Sequence, residues 1–172
     1  KENLLAAQES GIRFLTLHPR TKVDGYGPPA RWDLIAEAKS LLKIPVVGNG
    51  DILQVQDAVN MLERTHCDAL MIGRGSIINP FIFHQIRAHF TGFAYQPEWS
   101  DLERYFEVYL AEFAPDMPSR GRINKMKQLL SFFFKGNAKL VAHRDTILRS
   151  NFIEMEPFLN LAIPLLQEGW RG

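Results

Sequence analysis

The feature that most constrains the fold of this chain is the alternation of short apolar segments with amphipathic ones over its first ninety residues. Three segments of strand length are bounded by glycine, proline or aspartate, and they cover residues 12–18, 44–48 and 68–73. The segments between them carry leucine, isoleucine, valine and alanine at helical spacing. Strands that alternate with helices of this length predict βαβ units and a parallel sheet. Three strands are too few to close an eight-stranded barrel.

After residue 98 the strand signals stop and the apolar residues keep helical spacing only. Ser100 and Glu103 have the spacing of a capping box, which predicts the start of a helix there. We predict four helices packed as a bundle in this part of the chain. The sequence therefore predicts an α/β domain over residues 1–90, a linker over residues 91–98 and an all-helical domain over residues 99–172.

The composition excludes several classes of protein. A single cysteine, Cys67, rules out a disulfide framework within the chain and is typical of a reducing compartment, so we expect a cytoplasmic protein. Cys67 precedes the third strand, at the end of the sheet opposite to the one where α/β folds bind ligands, and we interpret it as a packing residue.

No apolar run approaches the roughly 18 residues of a membrane span, and we predict neither a membrane nor a metal ion as partner. Because Lys1 opens a helical pattern, we expect a piece of a longer protein.

Two glycine-rich loops follow the second and third strands, with the sequences GNGD (residues 48–51) and GRGSIINP (residues 73–80). Glycines let backbone amides approach an anion closely, and parallel barrels commonly bind phosphate in the loops after their last strands. Arg74 adds a charge that suits phosphate, while Asn49 and Asp51 suit a chain of sugar-like hydroxyls. Each loop alone is equally compatible with a plain turn, but the two together predict a phosphate site.

The first strand runs directly into a polar and basic segment. His18 stands at the carboxyl end of this strand, where an imidazole either hydrogen-bonds a cofactor ring or has a purely structural role. Arg20, Lys22 and Tyr26 form a basic loop with one aromatic residue. This combination suits phosphate contact and base stacking, and it is equally typical of a solvated loop.

Four stretches of the sequence, in their order and spacing, resemble the tRNA-dihydrouridine synthases: LTLHPRTKVDGY, the tryptophan at position 32, IPVVGNGDI and CDALMIGRGSIINPFIF. That family usually has glycine where this chain has Pro19. The helical half resembles the family more weakly, through NKMKQLLSFFFKG and through Arg144 followed by Ile147. The resemblance implies an α/β part, namely strands six to eight of an FMN-binding (β/α)8 TIM barrel, followed by an all-α helical domain.

The resemblance also implies an activity, the reduction of particular uridines in tRNA to 5,6-dihydrouridine with FMN as cofactor and NADPH as reductant. The family's general acid is a cysteine on an earlier strand, so this chain is expected to hold no catalytic residue and to be inactive alone. Six residues match the family's FMN site: His18, Asn49, Gly50, Asp51, Gly73 and Arg74. Six others are implied as tRNA contacts: Arg20, Lys22, Tyr26, Lys125, Lys127 and Arg144.

Two other functions are compatible with the sequence. Another FMN barrel oxidoreductase, acting on a free pyrimidine, would share the phosphate loops but neither the basic loop after the first strand nor the helical half. A non-catalytic tRNA-binding fragment would use the helices for affinity and the strands as a scaffold. The open edge of a partial barrel further predicts association between copies, because unpaired strand edges attract partners.

Overall fold

The three strands predicted from the sequence are present in the computed structural model, which describes residues 1–25 and 27–171. They are β1 (Leu15–Leu17), β2 (Val46–Asn49) and β3 (Ala69–Met71), and they pair in parallel with β2 in the centre. The surrounding helices are α1 (Glu2–Glu9), α2 (Trp32–Leu41), α3 (Val55–Thr65), α4 (Arg74–Ile78) and α5 (Ile82–Thr91). The prediction of strands that alternate with helices and pair in parallel is confirmed.

The strand register decides which side chains share a face of the sheet. Thr16 pairs with Val47, which pairs with Ala69, and these residues form a row on one face. The other face packs on a core whose fully buried members include Ile35, Ala38, Val46, Ala58, Met61 and Ile82. The first face is open in the described part of the chain, since Thr16, Ala69 and Met71 are exposed. Parallel sheets are normally covered on both faces, so this open face is unusual.

Helix α3 has clear signals at both ends. The carboxylate of Asp57 accepts hydrogen bonds from the amides of Leu53 and Gln54, each at 3.0 Å. These bonds satisfy donors that the start of a helix would otherwise leave unpaired. The helix stops at His66, whose φ of 55° is left-handed. The first residue of α3 therefore fixes where the loop after β2 ends, and its last residue fixes where the chain turns towards β3.

The second half of the chain is helical, as predicted. Its elements are α6 (Trp99–Ala111), α7 (Ser119–Gly136), a 3₁₀ helix (Leu140–His143), α8 (Arg144–Leu148) and α9 (Met155–Arg171). They enclose a core whose fully buried members include Leu102, Met126, Leu130, Leu140, Ile147, Phe158, Ala162 and Leu166. The third predicted helix is divided into the 3₁₀ helix and α8, so the simple four-helix arrangement does not hold.

The start of α6 corrects the predicted capping box. The amide of Glu98 donates to the carboxylate of Asp101 at 2.8 Å, and Glu98 has the extended backbone of an N-cap residue. Ser100 and Glu103 lie inside the helix, so the prediction was wrong. Both pairs have the same spacing, and the spacing alone does not decide which of them begins the helix.

The chain divides into two compact units. The first comprises residues 1–76 and 82–94, and the second comprises residues 77–81 together with the segment that begins at Tyr95. Among the helices described, none combines the length and the apolar character needed to cross a lipid bilayer. Within residues 1–25 and 27–171, no three His, Cys, Asp or Glu side chains are grouped so that they could hold a metal ion.

Candidate functional site

A cavity of about 280 Å³ lies at the carboxyl ends of the three strands, within the first unit. Each strand contributes to its wall through residues that end the strand or follow it closely. All six residues predicted to bind a cofactor line this cavity: His18, Asn49, Gly50, Asp51, Gly73 and Arg74. The fold therefore brings together residues from three loops that are far apart in the sequence.

The carboxylate of Asp51 joins these loops. Arg20 donates two hydrogen bonds to it, from Nη1 to Oδ1 at 2.8 Å and from Nη2 to Oδ2 at 2.6 Å. The backbone amide of Ala30 donates to Oδ2 at 2.8 Å, and Nη2 of Arg74 lies 3.4 Å from Oδ1. The paired bonds from Arg20 have the bidentate geometry in which guanidinium and carboxylate groups bind most strongly. Asp51, in the loop after β2, is thus fixed by partners from the other two loops.

The position of Arg20 differs from its prediction as a tRNA contact. Its side chain is only 4% exposed. In addition to Asp51, it binds the carbonyl oxygen of Pro28, from Nε at 2.9 Å and from Nη2 at 2.6 Å. This guanidinium group is buried and already bound to two partners, and its contact with tRNA stays a prediction. Arg20 ties the loop after β1 to the loop after β2.

The charges at the cavity favour an anion. Burial alone would raise the pKa of the Asp51 carboxyl, but hydrogen bonds from Arg20 and Ala30, with the charges of Arg20 and Arg74, hold this pKa below its ordinary value. Asp51 is therefore ionised at neutral pH. Two guanidinium groups face one carboxylate at the cavity, which leaves an excess of positive charge there.

The backbone between β2 and α3 has an unusual shape at two residues that line the cavity. Gly50 has a φ of 111° and Asp51 a φ of 55°, in the region that glycine adopts at least cost. A Cβ on Gly50 would lie 2.9 Å from the Cβ of Ala30 and 3.4 Å from the Cδ of Pro19. Pro19 is buried against this backbone. Trp32 fixes the peptide further, since its Nε1 donates to the carbonyl oxygen of Gly50 at 2.9 Å.

Gly75 supports the site from outside the cavity, and the sequence motifs did not identify this role. A Cβ at this position would lie 2.1 Å from the carbonyl oxygen of Ile52, so α4 approaches the loop after β2 only because residue 75 is glycine. The second glycine of GRGS was the visible signal, but the close approach depends on the tertiary fold. A Cβ on Gly73 would meet no described atom within 4 Å, so Gly73 borders open space.

Three of the predicted tRNA contacts have accessible side chains. Lys22 and Lys125 are exposed. The side chain of Arg144 is 52% exposed, and its Nη1 lies 3.0 Å from the Oδ1 of Asp145. The prediction for Tyr26 falls outside the described residues. Each of these basic side chains is accessible to solvent, and its contact with tRNA stays a prediction.

Lys127 is oriented differently from its prediction. Its Nζ hydrogen-bonds the carbonyl oxygen of Ser150 and lies 5.8 Å from the centre of the Phe158 ring. Burial lowers the pKa of this ammonium group. The helical pattern places Lys127 opposite the apolar stripe of α7, but the chain after α8 passes over this position. Lys127 therefore links two parts of the helical unit.

Cys67 lies away from the cavity. It is buried in the core of the first unit, and its Sγ is 3.0 Å from the place that a Cβ on Gly48 would take. It precedes β3, whereas the cavity residues end the strands or follow them. The interpretation of Cys67 as a packing residue is confirmed.

The geometry defines a class of protein, an α/β unit of parallel strands with a positively charged, glycine-lined cavity at their carboxyl ends, in a chain that continues into a helical unit. A family model described as dihydrouridine synthase matches residues 2–144 of this chain. The chain belongs to the dihydrouridine synthase family.

Several curated relatives are described as tRNA-dihydrouridine(16) synthase. The protein of Shewanella oneidensis is 43% identical over 100 residues, which are 58% of this chain and 30% of the relative. Those of Neisseria meningitidis serogroup A and Pseudomonas putida are each 34% identical over 137 residues, covering 76% and 79% of this chain and 40% and 42% of the relatives. The chain thus spans well under half the length of the relatives that it matches.

Proposed function

We propose that this chain is the phosphate-recognising and RNA-binding part of a tRNA-dihydrouridine synthase, which reduces particular uridines of tRNA to 5,6-dihydrouridine with FMN and NADPH. Its family membership and the descriptions of its relatives support this proposal. The observation that carries it is the convergence of three motif loops on one positively charged cavity. Membership of this family favours tRNA over a free pyrimidine as the substrate.

The residues of the cavity fit the phosphate-bearing part of FMN. Arg74 supplies a charge for the phosphate, and the open space beside the backbone of Gly73 lets peptide groups come close to it. His18 and Asn49 are the polar side chains at the same wall that would orient the rest of the cofactor. When bound, the flavin supplies the hydride chemistry of the reaction.

Arg20 acts on the cofactor only through its neighbours in this proposal. It holds the Asp51 carboxylate by two charge-assisted hydrogen bonds and so keeps the left-handed backbone at Asp51 in place. We therefore assign it a positioning role in the cofactor site rather than a contact with RNA.

We further propose that the chain alone does not catalyse the reaction. The matched segments cover 30% to 42% of the relatives, and Cys67 is buried away from the cavity. The three strands are then the phosphate end of a (β/α)8 barrel, and their open face, with Thr16 and Ala69, is part of the barrel interior. Copies of the chain are expected to associate through the unpaired edges of this sheet.

The experiment that tests the cofactor site compares FMN with riboflavin, which lacks the phosphate. Flavin fluorescence is titrated with the purified chain, with Arg74→Ala and with Arg87→Ala, an exposed arginine of α5 remote from the cavity. We expect FMN to bind more tightly than riboflavin and Arg74→Ala to lose about tenfold in FMN affinity, as for one charge-assisted hydrogen bond. Arg87→Ala should match the parent chain.

Equal affinities for FMN and riboflavin, or an FMN affinity that Arg74→Ala leaves unchanged, would contradict the phosphate site. If tRNA were bound under the same conditions, that result would favour the non-catalytic tRNA-binding fragment. Uridine reduction by this chain with FMN and NADPH would contradict the proposal that it is inactive alone.

A further inference from the structure

We propose that the helical unit holds a second recognition site, a groove that takes one unstacked nucleobase of the RNA while two lysines contact the flanking phosphates. The aromatic groove has a volume of about 400 Å³ and is lined by Ile77, Tyr105, Tyr109, Gln128, Leu129 and Phe132. All of these residues belong to the second unit, so the groove is separate from the cofactor cavity. The inference rests on the proposed function, in which the substrate is an RNA.

The rings of the groove are held in place by packing. Tyr105 stacks on Phe133, with ring centres 6.4 Å apart and an angle of 30° between the planes. Tyr109 meets Phe113 edge to face at 5.1 Å, and its hydroxyl donates to the carbonyl oxygen of Lys125 at 3.3 Å. A rigid aromatic surface that is partly open to solvent is what a base needs for stacking, because little order is lost when it binds.

Polar groups lie beside this surface. Gln128 is exposed at the rim, and its amide carries both donors and an acceptor, the combination that pairs with the edge of a base. Burial raises the pKa of the Tyr105 and Tyr109 hydroxyls, so both stay protonated at neutral pH. Gln128 therefore supplies the hydrogen-bonding side chain of the groove.

Charge complementarity selects a nucleotide as the occupant. Lys125 lies one helical turn before Gln128 on α7, and Lys135 lies one turn after Phe132, with its Nζ 4.9 Å from the centre of the Phe132 ring. The two lysines are thus about 15 Å apart along the helix axis. Each adjoins a groove residue, Lys125 through its carbonyl oxygen at Tyr109 and Lys135 through its Nζ at Phe132. An RNA strand offers this pattern, an aromatic base with a phosphate on each side.

The test uses the full chain and a single-stranded hexamer of uridines with a central 2-aminopurine, whose fluorescence reports stacking. Phe132→Leu keeps an apolar side chain but removes the ring, and we expect it to lower the hexamer affinity about tenfold. Phe152→Leu is the matched control, a partly buried phenylalanine of the same unit that does not line the groove. It should bind as the parent chain does.

Two further variants keep the result interpretable if Phe132→Leu fails to fold. Gln128→Glu changes an exposed side chain and should weaken binding by placing a negative charge at the rim. Lys125→Ala should lower the salt dependence of tRNA binding by about one unit of slope. Arg149→Ala, whose side chain is 82% exposed and lies outside the groove, is the control for charge and should leave the 2-aminopurine signal unchanged.

Equal hexamer affinities for Phe132→Leu and Phe152→Leu would overturn the base site. Dimers that form at higher protein concentration and are lost in Phe132→Leu would also overturn it, because the groove would then bind a second copy. Failure of this site is distinguishable from failure of the proposed function. If the chain binds FMN but Phe132→Leu keeps the parent affinity for the hexamer, only the groove is contradicted. If Phe132→Leu loses hexamer affinity but the chain does not bind FMN, only the cofactor site is contradicted.

Discussion

Replacement of Arg20 by alanine is the sharpest test of how the cofactor cavity is held together. The change removes four hydrogen bonds, two to Asp51 and two to the carbonyl oxygen of Pro28. It also leaves the Asp51 carboxylate, whose side chain is 29% exposed, without its main partner. Breaking a fully buried ion pair costs about 3 to 5 kcal/mol, and an exposed pair contributes about 1 kcal/mol or less. Because Arg20 is buried and Asp51 is partly exposed, we expect a loss of about 2 to 3 kcal/mol.

A matched control exists in the same unit. Lys39 also binds both oxygens of a carboxylate, that of Asp68, at 2.7 Å, but the two side chains are 31% and 39% exposed. Lys39→Ala should therefore cost about 0.5 kcal/mol, as for a surface pair. Urea unfolding gives both free energies of unfolding. The two ion pairs have similar bond lengths, so the comparison measures the effect of burial together with that of the two bonds from Arg20 to Pro28.

Hydrogen exchange locates the effect. The amide of Ala30 donates to Asp51, so its protection should fall in Arg20→Ala and stay unchanged in Lys39→Ala. A loss for Arg20→Ala within 0.5 kcal/mol of that for Lys39→Ala, together with an unchanged Ala30 amide, would refute the reasoning. The outcome would mean that the loops after β1 and β2 are held by contacts other than this ion pair.

Two other predictions concern the same cavity. Because the pKa of Asp51 is lowered in the folded chain, its charge stabilises the fold above about pH 4, and this contribution is lost as the pH falls through the folded value. The difference in urea midpoint between the parent chain and Asp51→Asn should therefore shrink below about pH 4. A constant difference from pH 6 to pH 3 would contradict this. Gly75→Ala should abolish FMN binding and lower the melting temperature, because the new Cβ would lie 2.1 Å from the carbonyl oxygen of Ile52. Gly73→Ala is the control and should keep the parent melting temperature. Similar melting temperatures for the two variants would exclude the close approach at Gly75.

The parts of the fold that follow from local pattern were predictable. The strands could be found because apolar runs bounded by glycine and proline are a local signal, and the helical second half because its periodicity is regular. The position of the α6 cap could not be fixed, since Glu98 with Asp101 and Ser100 with Glu103 give the same spacing. The choice between them depends on the path of the chain before the helix.

The sequence predicted which residues lie at the candidate site, but it did not predict the contacts between them. The motif residues line one cavity, because loops at the carboxyl ends of parallel strands must meet. The role of Arg20 could not be read from the sequence, since its partner Asp51 is 31 positions away and an arginine suits RNA and carboxylate equally well. The contact of Lys127 could not be predicted for the same reason, because its partner Ser150 is distant in the sequence and comes close only in the folded chain.

The contrast between Lys125 and Lys127 has a practical consequence for mapping the RNA contact surface by chemical labelling. The two lysines are two residues apart on α7, yet Lys125 is exposed and Lys127 binds the carbonyl oxygen of Ser150. In a lysine-modification footprint, the reactivity of Lys127 reports the integrity of the helical unit, and that of Lys125 reports what covers its surface. A single peptide that contains both lysines would therefore report RNA contact through Lys125 and the integrity of the helical unit through Lys127.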